Sequence, residues 1–202
     1  IRQYLTYMEQ ETSRCGEIAK NLLSFARQSK SEMKPQSVMD VINRTLLLVS
    51  YDFKHRNVQL VKTLEDDLPL ILCDANQIQQ ALLNLLENAA EAMNEGGTIT
   101  VQAHRSSDAE FVEVVITDTG CGIPAARQND IFEAFFTTKE KGKGVGLGLA
   151  VVQSIITRHQ GVIEVESPLT KAKRNPGSRF RIRLPIAGQG GTIAAATEAE
   201  RA

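Results

Sequence analysis

The sequence predicts an α+β fold with a mixed sheet, preceded by one long helix. Apolar residues repeat at helical spacing from residue 1 to about residue 31. Strand-like and helical segments then alternate in irregular order, with two pairs of strand-like segments that can form hairpins. With 202 residues, 42% of them hydrophobic and 23% charged, the chain has the size and composition of one ordinary domain with an appended element.

The composition excludes several classes of function. The 23 Lys and Arg residues against 24 Asp and Glu residues leave a net charge of -1, so no nucleic-acid partner is expected. No window approaches the roughly 20 apolar residues of a membrane span, and no membrane contact by this segment is expected. Three dispersed cysteines indicate reduced thiols, as in the cytoplasm, whether or not the parent protein is membrane-anchored. Because the chain opens at Ile1 in a helical pattern, we expect a piece of a longer protein.

The first segment is predicted to be one amphipathic helix within residues 1–34. Its apolar stripe needs a partner, which favours the seam of a helical bundle between two copies, although packing on its own domain would also bury it. Pro35 ends the helix, a folded domain spans 35–187, and 188–202 is a small, polar, flexible tail. The stripe consists of Leu5, Met8, Cys15, Ile18, Leu22 and Phe25.

Within the domain, Ser37 is predicted to cap a helix that runs to about Arg56, and Asp74 a second one that runs to about Met93, with Gln77 completing a capping box. A third helix is predicted from Gly146 to Arg158. The predicted strands are 58–65 and 69–74 around an acidic turn, a hairpin of 98–105 and 111–118, and 161–167 and 178–186. The first helix is expected to bury Val38, Val41, Ile42, Thr45, Leu48, Val49 and Phe53.

The second helix carries two asparagines, Asn84 and Asn88, one turn apart on its polar face. Asparagine is a poor residue for a helix interior because its amide competes for backbone hydrogen bonds, so the pair suggests a task, although an ordinary solvated face also explains it. The opposite face is predicted to be buried and consists of Ile78, Ala81, Leu82, Leu85, Ala89 and Met93.

The segment DTGCGIP places Asp118 at the end of a strand, before two glycines that allow close approach of the backbone. Such a carboxylate can accept a hydrogen bond from an exocyclic amine such as that of adenine, or it can simply cap a tight turn. Gly120, Gly122 and Ala125 also fit the dinucleotide pattern G-x-G-x-x-A, but 132–140 is not the second strand which that pattern requires.

The segment GKGVGLGLAVV runs from alternating glycines straight into a helix. Backbone amides at a helix N-terminus, next to Lys139, Lys141 and Lys143, predict an anion site, and phosphate is the obvious anion. The spacing is not that of a P-loop, and a flexible linker would explain the glycines but not the lysines.

Four segments in order, NLLENAAEA (84–92), DTGCGI (118–123), FEAFFTTK (132–139) and GKGVGLGL (142–149), resemble the N, G1, F and G2 boxes of sensor histidine kinases. The opening helix, with NLLSFAR (21–27), resembles the second helix of the dimerisation and phosphotransfer bundle of that family. The resemblance implies a Bergerat fold, which is a two-layer α/β sandwich that binds ATP. It also implies transfer of the γ-phosphoryl to a histidine on the dimer bundle, and relay to the receiver domain of a response regulator.

Carried over position by position, the resemblance implies that Asn88 binds Mg²⁺ on the ATP phosphates, with Asn84 beside them, and that Asp118 binds the adenine amine. It implies that Lys139, together with Thr138, reaches the γ-phosphate. The nucleotide pocket and its lid, which the two phenylalanines anchor, would comprise Gly120, Gly122, Ile123, Phe132, Phe135, Gly142, Gly144, Val145, Gly146, Leu147 and Gly148.

The chain departs from the family pattern at three places. Glu91 stands where many relatives carry a basic residue, so the cation is assigned to Lys139, and Ala134 replaces a usual proline in the lid. None of His55, His104 and His159 lies in a sequence like the phosphoacceptor box, so the acceptor is expected on a helix that precedes Ile1.

Two alternatives are an ATP hydrolase of the same superfold and a degenerate nucleotide-sensing dimerisation module. Those hydrolases carry a glutamate as general base four residues before the metal-binding asparagine, where this chain has Asn84, and Glu87 is expected to point elsewhere. The intact Asn88, Asp118 and lid glycines speak against the degenerate module.

Overall fold

The computed structural model describes residues 32–93, 95–138, 145–172 and 175–188, together with the helical positions 4, 8, 12 and 16. The predicted helix 1–34 otherwise lies outside the described residues, as does most of the predicted tail. The elements are β1 (Lys34–Gln36), α1 (Val38–His55), β2 (Val58–Leu64), β3 (Ile71–Cys73), α2 (Ala75–Glu91), β4 (Gly97–Arg105), β5 (Phe111–Asp118), α3 (Gly148–Arg158), β6 (Val162–Glu166) and β7 (Ser178–Pro185).

Five strands form a mixed sheet in the order β2-β4-β5-β7-β6, which confirms the predicted α+β class. β2 runs parallel to β4, and the other neighbouring pairs are antiparallel. β3 belongs to a second, two-stranded sheet with β1, so the two strands around the acidic turn do not pair with each other. β1 was not predicted, because three residues that include Pro35 carry no alternating pattern.

Helix α1 begins as predicted, with the side chain of Ser37 accepting a hydrogen bond from the amide of Asp40 at 3.3 Å. Six of the seven residues predicted to be inward are buried, but Leu48 is 63% exposed and that part of the prediction is wrong. The reason is angular: at about 100° per residue, position 48 lies at the edge of the stripe that Val41, Thr45 and Val49 define.

Helix α2 is capped by Asp74, whose carboxylate accepts hydrogen bonds from the amides of Asn76 and Gln77. The capping box is only half formed, because the side chain of Gln77 bonds the carboxylate of Asp74 rather than its backbone amide. That amide instead donates to Nε2 of His159, at 3.0 Å. The N-terminus of α2 is therefore joined to the C-terminus of α3, where His159 is the capping residue.

The core lies between one face of the sheet and the three helices. All six residues predicted for the inner face of α2 are buried, and Leu86 and Ala90 widen that face. Packing is close enough that Leu85 on α2 and Ile99 on β4 are both 0% exposed. With β5, β7 and α3 contributing Ile116, Ile182 and Val152, the arrangement is a two-layer α/β sandwich.

We expect His159 to make the stability of the domain depend on pH. Burial lowers the pKa of His159, and since its Nε2 accepts from Asp74, its Nδ1 donates to the carbonyl of Ile155 at 2.7 Å. Below about pH 6.5 the unfolded chain binds a proton that the folded chain does not, so the free energy of unfolding falls as pH falls.

Urea unfolding between pH 7.5 and 5.5 measures this effect. His159→Gln should flatten the dependence, while His104→Gln, at an exposed position on β4, should leave it as in the wild type. Equal slopes in both variants would contradict the assignment.

Candidate functional site

Asp118 ends strand β5 and is a charged side chain in a buried position, 4% exposed. Its Oδ1 accepts a hydrogen bond from the amide of Gly120 at 2.7 Å, and the backbone of Ser178 provides a second hydrogen bond. Burial raises the pKa of Asp118 in spite of these two donors. Among the described residues no ion pair compensates this carboxylate, so it is an acceptor suited to a further donor.

The loop after Asp118 is packed tightly against its own chain. A Cβ on Gly120 would lie 2.7 Å from Cβ of Ala92, at the end of α2, and the amide of Cys121 donates to the carbonyl of Ala92 at 3.1 Å. Gly122 has φ +74°, and a Cβ there would lie 2.7 Å from Cγ of Pro176. Both glycines are therefore needed by the fold itself, beyond the approach to a ligand that the sequence predicted.

Asn84 and Asn88 are both half-buried and lie on the side of α2 that faces the start of α3. The amide nitrogen of Asn84 donates to the carbonyl of Gly148 at 3.2 Å. A Cβ on Gly148 would lie 3.6 Å from Nδ2 of Asn88. The structure thus brings the two asparagines together with the first turn of α3, whose backbone N–H groups have no partner within the helix.

One side of the predicted lid is described and contains a close backbone crossing. The amide of Phe135 donates to the carbonyl of Gly146 at 2.9 Å, and both residues have positive φ, +69° and +70°. Phe135 is 63% exposed, whereas Phe132, the other residue expected to anchor the lid, packs against the core. The left-handed turn at Phe135 places the next aromatic residue, Phe136, against the core.

Other predicted site residues are placed as follows. Thr138 is exposed, Val145 is half-buried and Leu147 is buried just before α3. Ile123 packs against the core. Three further predicted site residues, Lys139, Gly142 and Gly144, lie outside the described residues. The same is true of the neighbouring Lys141 and Lys143.

The carboxylate nearest Asn88 in sequence points away from it, as predicted. Oε2 of Glu87 lies 3.0 Å from Nη1 of Arg56, which follows α1. Of the three histidines, His55 is exposed at the end of α1 and His104 lies on β4 near Glu113. His159 is at the opposite end of α3 from Gly148, about 16 Å away at the helical rise. Within the described structure, which includes all three histidines, none of them forms a hydrogen bond with either asparagine.

Sequence reasoning missed two buried serines beside Asp118. Ser167 follows β6 and Ser178 opens β7, where it pairs in register with Asp118. The hydroxyl of Ser167 accepts a hydrogen bond from the amide of Ile123 at 2.7 Å. The available signal was weak: a glycine before a strand that begins with serine, far along the chain from the motif it supports.

A sheet covered on one face, a buried acid at a strand end and two asparagines facing a helix N-terminus fit the Bergerat fold that the motifs predict. A family model described as "Histidine kinase-, DNA gyrase B-, and HSP90-like ATPase" matches residues 73–188. The chain belongs to this family.

Within the family, the chain is similar to sensor histidine kinases, which confirms the resemblance seen in the sequence. It is 36% identical over 184 residues to the sensor histidine kinase ZraS of Escherichia coli strain K12, covering 91% of this chain. The match spans 38% of the length of that relative. The structure of the mycobacterial sensor histidine kinase MprB has a TM-score of 0.66 at 31% identity, over 76% of this chain and 97% of that one.

Two similar solved structures are complexes. Full-length ShkA in complex with AMPPNP has a TM-score of 0.75 at 25% identity, over 92% of this chain and 38% of that one. The histidine kinase ThkA in complex with the response regulator protein TrrA has a TM-score of 0.72 at 26% identity, over 91% of this chain and 50% of that one.

None of the helices among the described residues combines the length and the hydropathy of a membrane-crossing helix.

The two glycines beside the lid should respond differently to alanine. A Cβ on Gly146 would lie 2.4 Å from the carbonyl oxygen of Phe136, at φ +70°, whereas Gly148 has ordinary contact distances in the first turn of α3. Gly146→Ala should lower the free energy of unfolding by roughly 1–3 kcal/mol, and Gly148→Ala should change it by less than about 0.5 kcal/mol. Urea unfolding of both variants measures this, and equal effects would contradict the described crossing.

Proposed function

We propose that this chain is the ATP-binding and catalytic module of a sensor histidine kinase, which transfers the γ-phosphoryl of ATP to a histidine. The buried carboxylate of Asp118 is the observation that carries the proposal, because a charged acceptor at 4% exposure, with two backbone donors but no cation beside it in the described structure, is suited to a further donor. The exocyclic amine of adenine is such a donor, whereas guanine presents a carbonyl at the same place. Gly120 and Ile123 would bracket the base.

The phosphate end of the nucleotide is assigned to the junction of α2 and α3. The free N–H groups of the first turn of α3 suit phosphate oxygens, and Asn84 fixes the junction through its hydrogen bond to Gly148. Thr138, with Lys139, Gly142 and Gly144 from the part of the lid that lies outside the described residues, would complete the enclosure. Val145 and Leu147, which precede α3 in the described structure, would line the same enclosure.

The residues present fit Mg²⁺ held jointly by protein and nucleotide. Magnesium is commonly bound through one or two protein oxygens, substrate phosphates and water, and the half-buried amide of Asn88 can supply an oxygen beside the phosphate site. When bound, the ion neutralises charge on the phosphates, while Asn88 orients them and Asn84 holds the helix junction.

A kinase is favoured over a hydrolase of the same superfold. Hydrolysis needs a general base for water, and Asn84 stands where those enzymes carry a glutamate. The nearby carboxylate of Glu87 is paired with Arg56 at 3.0 Å and is directed toward α1. Neither residue can activate a water at the phosphate site, so the γ-phosphoryl is kept for another nucleophile.

The acceptor is assigned to a histidine on the dimerisation bundle, since none of the three histidines in this sequence lies in a segment like the phosphoacceptor box. The apolar stripe of the first 34 residues supports a homodimer through that helix. The receiver domain of a response regulator is the proposed next acceptor, and the likeness to a kinase solved with such a protein supports this. A cytoplasmic site of action follows from these partners.

Asp118→Asn tests the assignment of the base pocket. Losing a charge-assisted hydrogen bond of about 1.5–3 kcal/mol should weaken ATP binding roughly 10- to 150-fold. The wild type should discriminate strongly against GTP, and Asp108→Asn, at an exposed hairpin position, should behave as the wild type. Isothermal titration calorimetry measures the affinities for ATP and GTP. Equal affinity of the wild type for ATP and GTP would contradict the proposed function.

Asn88→Ala tests the metal assignment. Mg²⁺ should tighten ATP binding by the wild type, and the variant should lose most of this effect because the ion loses its protein oxygen. In a reaction that includes the acceptor helix, phosphoryl transfer should fall at least about 100-fold. Asn76→Ala, in the exposed first turn of the same helix, is the matched control. Unchanged magnesium dependence would remove Asn88 from the site.

A further inference from the structure

The hydroxyl of Ser167 contacts two segments that lie next to Asp118: the loop that follows Asp118 and the start of strand β7. It accepts a hydrogen bond from the amide of Ile123, in the loop after Asp118, at 2.7 Å. It also lies 3.0 Å from the carbonyl oxygen of Gly177 and 3.1 Å from the hydroxyl of Ser178. Ser167 itself is 9% exposed, so water does not replace these partners freely.

The two segments are also joined directly beside the carboxylate. The amide of Gly177 donates to the carbonyl of Gly120 at 3.0 Å, and the backbone of Ser178 bonds Asp118. These contacts hold the near end of the loop only. At its far end, Ile123 is tied to the same strand start through the Ser167 hydroxyl.

We propose that Ser167 is a positioning residue for the base end of the nucleotide site: its hydroxyl sets the distance between the Gly120–Ile123 loop and Asp118. This inference rests on the proposed function. Ser167 does not touch the base in this arrangement and acts through Ile123 and Ser178. It therefore determines how tightly the adenine ring is bound, and not the chemistry at the phosphates beside Asn84 and Asn88.

A second side chain supports the same end of the loop. Nε2 of Gln128 donates to the carbonyl of Ile123 at 3.4 Å and also to the carbonyl of Ser167. Ile123 is thus held to Ser167 through both its amide and its carbonyl. Gly122, at φ +74°, provides the turn that directs the Ile123 amide toward the hydroxyl.

The structure offers a matched control in Ser106, which is 7% exposed at the end of the β4–β5 hairpin. Its hydroxyl accepts a hydrogen bond from the amide of Phe111 at 3.0 Å and contacts the carbonyl of the same residue at 3.1 Å. Ser106→Ala and Ser167→Ala therefore each remove a buried hydroxyl that accepts a hydrogen bond from a backbone amide. Ser106 is far from Asp118, whereas Ser167 contacts the loop that follows Asp118.

The test compares these two variants in ATP binding, phosphoryl transfer and amide hydrogen exchange. Ser167→Ala should weaken ATP binding about tenfold, which corresponds to loss of one well-buried hydrogen bond, and raise KM similarly. The transfer rate at saturating ATP should stay within about twofold of the wild type. Exchange at the Ile123 amide should become faster. Ser106→Ala should lose comparable stability but retain ATP affinity and the Ile123 exchange rate.

Inorganic triphosphate separates positioning of the base from general damage. Its ability to compete with ATP at the phosphate end should be the same in the wild type and Ser167→Ala. An equal loss of triphosphate and ATP binding, or an equal loss of ATP affinity in Ser106→Ala, would overturn the proposal in favour of a purely structural serine.

A third variant keeps the test decisive if Ser167→Ala does not fold. Gln128→Ala removes the more exposed of the two links and should weaken ATP binding about threefold. Unchanged affinity in Gln128→Ala would then overturn the inference. If Asp118→Asn abolishes adenine preference while Ser167→Ala and Gln128→Ala bind ATP normally, the inference fails and the proposed function stands. If Asp118→Asn has no effect, the proposed function itself fails.

Discussion

The burial of helix α2 against the sheet is the constraint on which the rest of this structure depends. Its inner face is apolar throughout, and Ala81 and Leu85 are fully buried there. That packing fixes the rotation of the helix, so the opposite face must carry Asn84 and Asn88 toward the start of α3. Burial of apolar surface contributes about 25 cal/mol per Å², so rotating the helix would expose its inner face at a large cost in free energy. The hydrophobic residues on one face therefore set the orientation of the two asparagines on the other.

Both ends of α2 are tied to the elements that flank the site. At its start, the backbone amide of Asp74 donates a hydrogen bond to Nε2 of the buried His159, at the end of α3, at 3.0 Å. At its end, the carbonyl of Ala92 accepts a hydrogen bond from Cys121 in the loop after Asp118. A single helix thereby sets the relation between the base end and the phosphate end of the proposed nucleotide site. Proper spacing of the two ends matters for phosphoryl transfer, which depends on positioning.

Asp118 shows a conflict between stability and function. Its burial raises the pKa of the carboxyl, because removal from water acts against the charged form. Backbone hydrogen bonds from Gly120 and Ser178 offset only part of this. A buried carboxylate is unfavourable for the stability of the fold, but in the proposed site a donor on the ligand would complete its hydrogen bonds. An acceptor that the fold holds in place before the ligand binds is a preorganised binding site.

The sequence by itself determined the three helices of the described structure, most of its strands and the motifs of the site. Helical spacing and caps at Ser37 and Asp74 are local properties, and they predicted α1 and α2 to within about two residues. The order of the four boxes predicted the family.

The tertiary structure decided which strands pair, that Leu48 faces outward, and that Phe136 rather than Phe135 packs against the core. It also brought Ser167 to Ile123, 44 positions apart, and His159 to Asp74, 85 positions apart. Local patterns report only the residues within a turn or a strand, whereas such contacts arise when separate elements bury their apolar faces together.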